Sequence, residues 1–335
     1  MKIVTQAPCR VDLAGGTMDI WPLYLFHRNA LTVNFAVDRY THCMIETDSE
    51  PGIKLISLDL KRQEQFASLE ELQSAKKYRL PLLAYLIDYF APRQGFRMTT
   101  NSEAPAGAGI SGSSSLIISI ATALNKLTSS GHSIETIREI AQNNEARIIR
   151  VPTGCQDYYP AMYGEVSAIE MDCGGIRRRK IPVDLDDFNE RIVLAYTGEP
   201  RNSGINNWEV NKAHIDGDAK VHRNFDRIAA IANAMRAALE KSDWLEVARL
   251  LREEWTQRKR NAPGITTPLI DRLVEVTRKS GARGAKVCGA GGGGCVFFLA
   301  DRGAKQRVAA AIEAEGAVVL PVKVAPSGVR VRTSQ

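Results

Sequence analysis

Apolar and polar positions alternate through the first part of the chain. Residues 2–5, 11–14, 31–36, 41–47 and 53–58 are rich in β-branched and aromatic side chains and read as strands. The run PLLAYLIDYF at 81–90 is apolar on too many sides for a surface helix and predicts a buried one. A strand at 95–100 follows. Residues 115–127 are apolar almost all round, which predicts a central helix, and Ser133 is the N-cap candidate of a second helix running to about residue 150. Residues 165–171 and 191–196 read as strands, and the charged run GGIRRRK at 174–180 as a solvated hairpin. Helices are then predicted over 221–241, 243–260 and 267–280. A glycine-rich turn feeding a strand, a helix at 304–315 and a last strand at 317–324 close the pattern. The polar, proline-containing segment 181–190 marks the change between two domains, 1–185 and 186–335.

The pattern breaks most sharply at EAPAGAGISGSSSLIIS, between the strand at 95–100 and the central helix. Glycine lets a backbone turn to positive φ and approach a ligand closely. A helix start offers unpaired N–H groups and the positive end of a dipole. Together these suit a phosphate, and the serines add hydroxyls for phosphate or metal. A glycine-rich turn with a serine cap is the plainer alternative. The glycines at 107, 109 and 112 satisfy G-x-G-x-x-G, but no acidic residue stands about 20 positions on, as a dinucleotide site requires. The same pattern recurs at 289, 291 and 294, and no Walker-type P-loop is present.

Other candidate chemistry lies at turns. Arg10 and Asp19 flank the strand and Gly-Gly turn of PCRVDLAGGTMD. Asp157 sits in PTGCQDYYP, as a base or as an Asx-turn residue. Composition adds limits. Hydrophobic content of 44% and charged content of 24% are those of a globular protein. The net charge of +6 suits anionic small substrates and, without a patterned patch, not nucleic acid. The six cysteines include no C-x-x-C pair, so they read as reduced thiols in a cytoplasmic protein. The N-terminal segment lacks the apolar core of a signal peptide, and no apolar run is long enough to span a bilayer. The histidines show no spacing that suggests a metal site.

Three motifs in fixed order, PCRVDLAGGTMD, PAGAGISGSSS and KVCGAGGGGCVFF, together resemble the GHMP small-molecule kinases. The resemblance implies an α+β fold of two domains, the first ribosomal-protein-like and the second ferredoxin-like, with ATP at their junction. It places Pro105, Gly107, Ala108, Gly109, Ser111, Gly112, Ser113 and Ser114 on the nucleotide phosphates. Ser113 and Glu145 match the Mg2+ ligands, although Ser113 also fits a plain N-cap and Glu145 an exposed helix face. Asp157 becomes the base and Arg10 its orienting partner.

Within the family the chain is most similar to the sugar branch. Asp19, with Gly16 and Thr17, matches a sugar-binding segment. Thr197-Gly198-x-x-Arg201-x-Ser203 and Gly154-x-Gln156-Asp157-x-Tyr159 resemble segments of heptose-phosphate and fucose kinases. Arg201, Ser203, Gly291 and Gly292 then belong to the substrate side. A sugar or sugar-phosphate acceptor is implied, with heptose 7-phosphate first and the anomeric hydroxyl as target; a hexose, an isoprenoid acid, or a non-catalytic sensor are the alternatives. Neither nucleic acid nor membrane is expected as partner, and a homodimer is left open. Cys9, Gly112 and Cys155 depart from the family pattern, and Cys155 puts the acceptor side in doubt.

Overall fold

The computed structural model describes residues 1–47, 52–200, 204–260 and 264–334. The first sheet contains β1 (Lys2–Ala14), β2 (Leu31–Thr47), β3 (Ile53–Ser57), β4 (Arg62–Phe66), β5 (Phe96–Ser102), β6 (Val166–Asp172) and β7 (Gly175–Lys180). The second contains β8 (Ile192–Tyr196), β9 (Ala282–Val287), β10 (Cys295–Ala300) and β11 (Val318–Leu320). A last strand, β12 (Arg330–Ser334), returns to the first sheet. The order is β12-β1-β2-β5-β3-β4, with β6 also on β2 and β7 on β6; the second sheet runs β11-β8-β10-β9.

Two pairs of predicted strands are each one strand. Pro8 lies inside β1, where it removes a ladder donor, and the ladder accommodates it with a register shift between Pro8 and Cys9. Opposite it, β2 continues past residues 38–39 with its two ends paired differently: Leu31–Phe35 to β6 and Thr41–Thr47 to β5. On one side of the shift Ile3, Ala7, Cys43 and Ile45 join one core; on the other Cys9, Val11, Leu13, Val33 and Phe35 join a second. Arg10 and Asp12 alternate with Cys9, Val11 and Leu13, so the pleat turns them to the opposite face.

The helices are α1 (Leu69–Ser74), α2 (Pro81–Phe90), α3 (Gly112–Thr128), α4 (Ile134–Ile149), α5 (Tyr158–Tyr163), α6 (Leu185–Asn189), α7 (Gly204–Ile215), α8 (Ala219–Glu240), α9 (Trp244–Lys259), α10 (Pro268–Lys279) and α11 (Lys305–Ala314). Side chains of α2, α3, α4 and α5 build the first core with the sheet. The predicted Ser133 cap is present, its Oγ accepting from Thr136 N at 3.1 Å. In the second core, Phe35 meets Phe188 and Phe297 at ring distances of 5.0 and 5.6 Å, which joins the two sheets through packed aromatics. Among the described residues, no helix is long and apolar enough to cross a membrane.

The hairpin predicted at 174–180 is present, its strand 175–180 pairing antiparallel with β6, whereas the turn after Asp157 is helical. The predicted strand at 317–324 shortens to β11, and the chain then crosses back so that Val324 bridges Val37 and β12 pairs β1. At this crossing Gly328 presses on the helical turn of α5: a Cβ there would lie 2.0 Å from Met162 O. Gly328→Ala is therefore expected to cost about 1–3 kcal/mol of unfolding free energy in urea titrations.

Candidate active site

A cavity of about 380 Å³ opens where the start of α3, the Gly16–Asp19 turn, the segment around Asp157 and the loop at Gly289 converge. Its floor is the glycine-serine loop. Two strands pin that loop from below. Arg10 N donates to Ile110 O at 2.9 Å, and Cys295 N donates to Ala108 O at 2.7 Å. Gly107 and Gly109 hold φ of 69° and 80°, and Ser111 holds 58°, which turns the chain into α3. The Ser111 hydroxyl is buried and has no hydrogen-bond partner among the described residues. With the open N–H groups of the first turn of α3, it makes a cradle suited to an anion. At Gly112 a Cβ would come within 3.2 Å of Ala104 Cβ, a tight contact.

Glu145, from α4, lies buried above this helix start. It accepts from Ser113 Oγ at 2.6 Å, Ser114 Oγ at 3.0 Å and Tyr158 OH at 2.5 Å. Burial raises its pKa, the three hydroxyls oppose this, and the Asp157 charge adds to it. One carboxylate and a serine hydroxyl at the cavity wall form a pair of hard oxygens of the kind that suits Mg2+.

Asp157 starts α5 and keeps 24% of its side chain exposed. Arg10 Nε and Nη2 both donate to its Oδ1, at 2.8 and 2.6 Å, while Nη1 donates to Gly109 O at 3.1 Å. Oδ2 has no hydrogen bond among the described residues. One guanidinium thus fixes the carboxylate and the loop together. Asp19 faces the same space. It accepts from Gln156 N at 2.9 Å and Gln156 Nε2 at 3.3 Å, which ties the Gly-Gly turn to the Asp157 segment. Burial, then the nearby Asp157 charge, pushes its pKa up to about 6. Gly154 makes room for it: a Cβ there would stand 1.9 Å from Asp19 Oδ2.

Beneath these groups lies a buried charge network that the sequence reading missed. Asp12 Oδ2 accepts from Lys286 Nζ at 2.5 Å and lies 3.6 Å from Arg258 Nη2; its Oδ1 lies 3.4 Å from Arg10 Nη1 and accepts from Gly289 N at 3.1 Å. Glu254 takes Arg258 at 2.7 Å and Lys286 at 3.3 Å. Burial alone would raise the Asp12 pKa, but Lys286, Arg10 and Arg258 outweigh it and hold the carboxyl below the usual range. The available signals were a charged residue in each apolar strand and the (i, i+4) pair Glu254–Arg258.

The structure brings together Arg10, Gly16, Thr17, Asp19, Pro105, Gly107, Ala108, Gly109, Ser111, Gly112, Ser113, Ser114, Glu145 and Asp157 around one cavity. It does not bring Gly291 and Gly292 there. Gly291 packs on Ile265, where a Cβ would meet Ile265 O at 2.5 Å, and Gly292 N donates to the same carbonyl at 2.9 Å. From that loop Gly289 and Ala290 line the cavity instead. Arg201 and Ser203 lie outside the described residues. Cys155 is fully buried with its thiol 3.7 Å from Met171 S.

Two outcomes follow. Lys286→Met leaves Asp12 and Glu254 short of their buried cation and is expected to cost about 3–5 kcal/mol in denaturant titrations. For Asp19, the folded pKa of about 6 exceeds the ordinary 3.8, so between these values the folded state holds a proton that the unfolded state has lost. Its contribution to stability falls as pH rises through that window. Asp19→Asn removes the decline: relative to the unsubstituted protein, the variant should gain about 1–3 kcal/mol between pH 4 and pH 7, with no further gain above pH 7.

Comparison with known proteins agrees with this geometry. Residues 76–165 match the model of the GHMP kinases N terminal domain, and 235–318 that of the GHMP kinases C terminal. The D-glycero-alpha-D-manno-heptose 7-phosphate kinase of Campylobacter jejuni is 25% identical over 98% of this chain and 99% of its own length. A D-glycero-D-manno-heptose 1-phosphate kinase structure from Bacteroides thetaiotaomicron shares the fold with a TM-score of 0.79, at 22% identity over 99% of both chains. Lactococcus lactis galactokinase complexed with galactose superposes with a TM-score of 0.81, at 21% identity over 98% of this chain and 95% of that one. With both domain models matched in order along it, the chain belongs to the GHMP kinase family.

Proposed function

We propose that this chain is an ATP-dependent kinase that transfers the γ-phosphoryl group to a hydroxyl of a sugar or sugar phosphate, with the anomeric hydroxyl of a heptose 7-phosphate as its acceptor. The observation that carries the reading is the pairing of Arg10 with Asp157 across the cavity from the start of α3. The similarity to the Campylobacter jejuni heptose 7-phosphate kinase over nearly the full chain supports the choice of acceptor. A sensor has no use for a carboxylate fixed by arginine with one oxygen left open, so that reading is not favoured.

Phosphoryl transfer asks a protein mainly for positioning and charge neutralisation. The amides of the glycine-serine loop and the Ser111 hydroxyl bind the phosphates. Asp157 Oδ2 accepts the proton of the attacking hydroxyl, while Arg10 keeps Oδ1 in place and balances charge on the side of the transferred group. Asp19, ionised at neutral pH, accepts from sugar hydroxyls and orients the acceptor. Leu60, Leu82, Ile149 and Val151 give the outer cavity an apolar wall suited to a base. Ser113 and Glu145 would hold Mg2+, which supplies positive charge to the phosphate oxygens when bound.

The test is ADP release with a panel of sugars and sugar phosphates. Asp157→Ala should lower kcat by about 100- to 10,000-fold with a heptose 7-phosphate while ATP affinity stays within about threefold. Turnover with a hydroxy acid alone, or wild-type rates in the variant, would overturn the proposal.

A further inference from the structure

Histidines distant in sequence meet in the fold. His27 follows the 3-10 turn Leu23–Phe26, His214 lies near the end of α7, and His222 lies on α8. One ring nitrogen from each lies within 4.8 Å of the others. His27 Nδ1 is 2.7 Å from Asp226 Oδ1, His27 Nε2 is 2.8 Å from His214 Nε2, and His222 Nε2 is 2.9 Å from His214 O. His27 and His214 are buried, and Phe26 and Phe225 pack against the cluster.

Proton assignment by the network leaves lone pairs over. The Asp226 carboxylate takes the Nδ1 proton of His27, so Nε2 of that ring is an acceptor. His214 Nε2–H then fills it, and His214 Nδ1 becomes a buried nitrogen with no partner among the described residues. A cation among the rings would take the place of the His27–His214 hydrogen bond, drawing on one nitrogen from each of the three.

We propose that His27, His214 and His222 form a binding site for a divalent transition-metal ion, Zn2+ by ligand chemistry, with Asp226 holding the His27 ring. Imidazole nitrogens suit Zn2+, and a carboxylate behind a ligating histidine is its common supporting partner. A fourth position goes to water. With Zn–N bonds of about 2.0–2.1 Å at tetrahedral angles, ligand nitrogens stand roughly 3.3 Å apart. The His27–His214 contact therefore opens by about half an ångström, and the stacked rings of His214 and His222, with centroids 3.8 Å apart, separate as the ion enters. Asp226, behind His27, lines a neighbouring groove with Phe26 and Arg28, and its side chain is 66% exposed. The ion staples α7 and α8 to the segment that carries Asp19. It stands apart from the Ser113–Glu145 oxygens and does not depend on the kinase reading.

The test uses the full chain without an affinity tag, stripped with chelator, in a Cys173→Ser background that removes the exposed thiol. Zn2+ is titrated against a chromophoric chelator. One tight equivalent is expected, weakened by at least roughly 100-fold in His27→Gln and His222→Gln, and an upward shift of Tm with Zn2+ that both variants lose. Binding that the variants retain but Glu145→Gln loses would overturn the proposal, as would no tight binding at all. Should a variant fail to fold, Co2+ added to the parent decides: intense visible bands of a four-coordinate ion support the site, and the weak bands of the six-coordinate aqueous ion refute it.

Discussion

The site depends on how Asp12 is neutralised. Its carboxylate is buried on β1; two of the cations around it come from remote parts of the chain, Lys286 on β9 and Arg258 on α9, and the third, Arg10, from its own strand. A buried charge without partners costs several kcal/mol, so β1, β9 and α9 must dock before any of these groups is tolerable. Glu254 and Asp157 complete the balance, three anions against three cations. The partner requirement is also geometric. Arg10 spends its fork on Asp157 and Gly109 because Asp12 faces it from the side, and that sets where the candidate base stands.

The two glycine-rich segments share this division of labour. The first offers its backbone to the cavity. The second mostly supports it: Gly294 lies against Ala108 so closely that a Cβ would approach Ala108 O to 2.7 Å, and Thr197 Oγ1 donates to Gly294 O at 3.0 Å. Only Gly289 and Ala290 reach the cavity, with Gly289 N held on Asp12. The glycines at 291 and 292 lie in close approach to Ile265, the tight-turn arrangement that glycine permits there.

Much of the fold was legible because burial on one face leaves a period. β1, β2, β3, β5 and β6 showed it at least in part, as did the Ser133-capped α4, while α3 was marked by being apolar almost all round. Reading failed where the signal depends on distant partners. Residues 8 and 38–39 looked like breaks and are a tolerated irregularity inside long strands. The chain around α7, GINNWEVNKAHI, mixes polar and apolar positions and becomes helical against neighbours. The exposed β12 has no apolar face to announce it. In the site, Arg10, Asp19, Glu145 and Asp157 were found through motifs, whereas Asp12, Glu254, Arg258 and Lys286 were not, because a lone charge in an apolar strand reveals no partner. The same holds for His27, His214 and His222, whose sequence spacing carries no metal pattern.

The most direct measurement is a double-mutant cycle on kcat/KM with Asp12→Asn and Lys286→Met. If the network positions the Arg10–Asp157 pair as argued, the double variant is less damaged than the product of the two single losses, with a coupling of about 1–3 kcal/mol. Strictly multiplicative losses would contradict the account: Asp12 and Lys286 would then act independently, and the placing of Asp157 would need another cause.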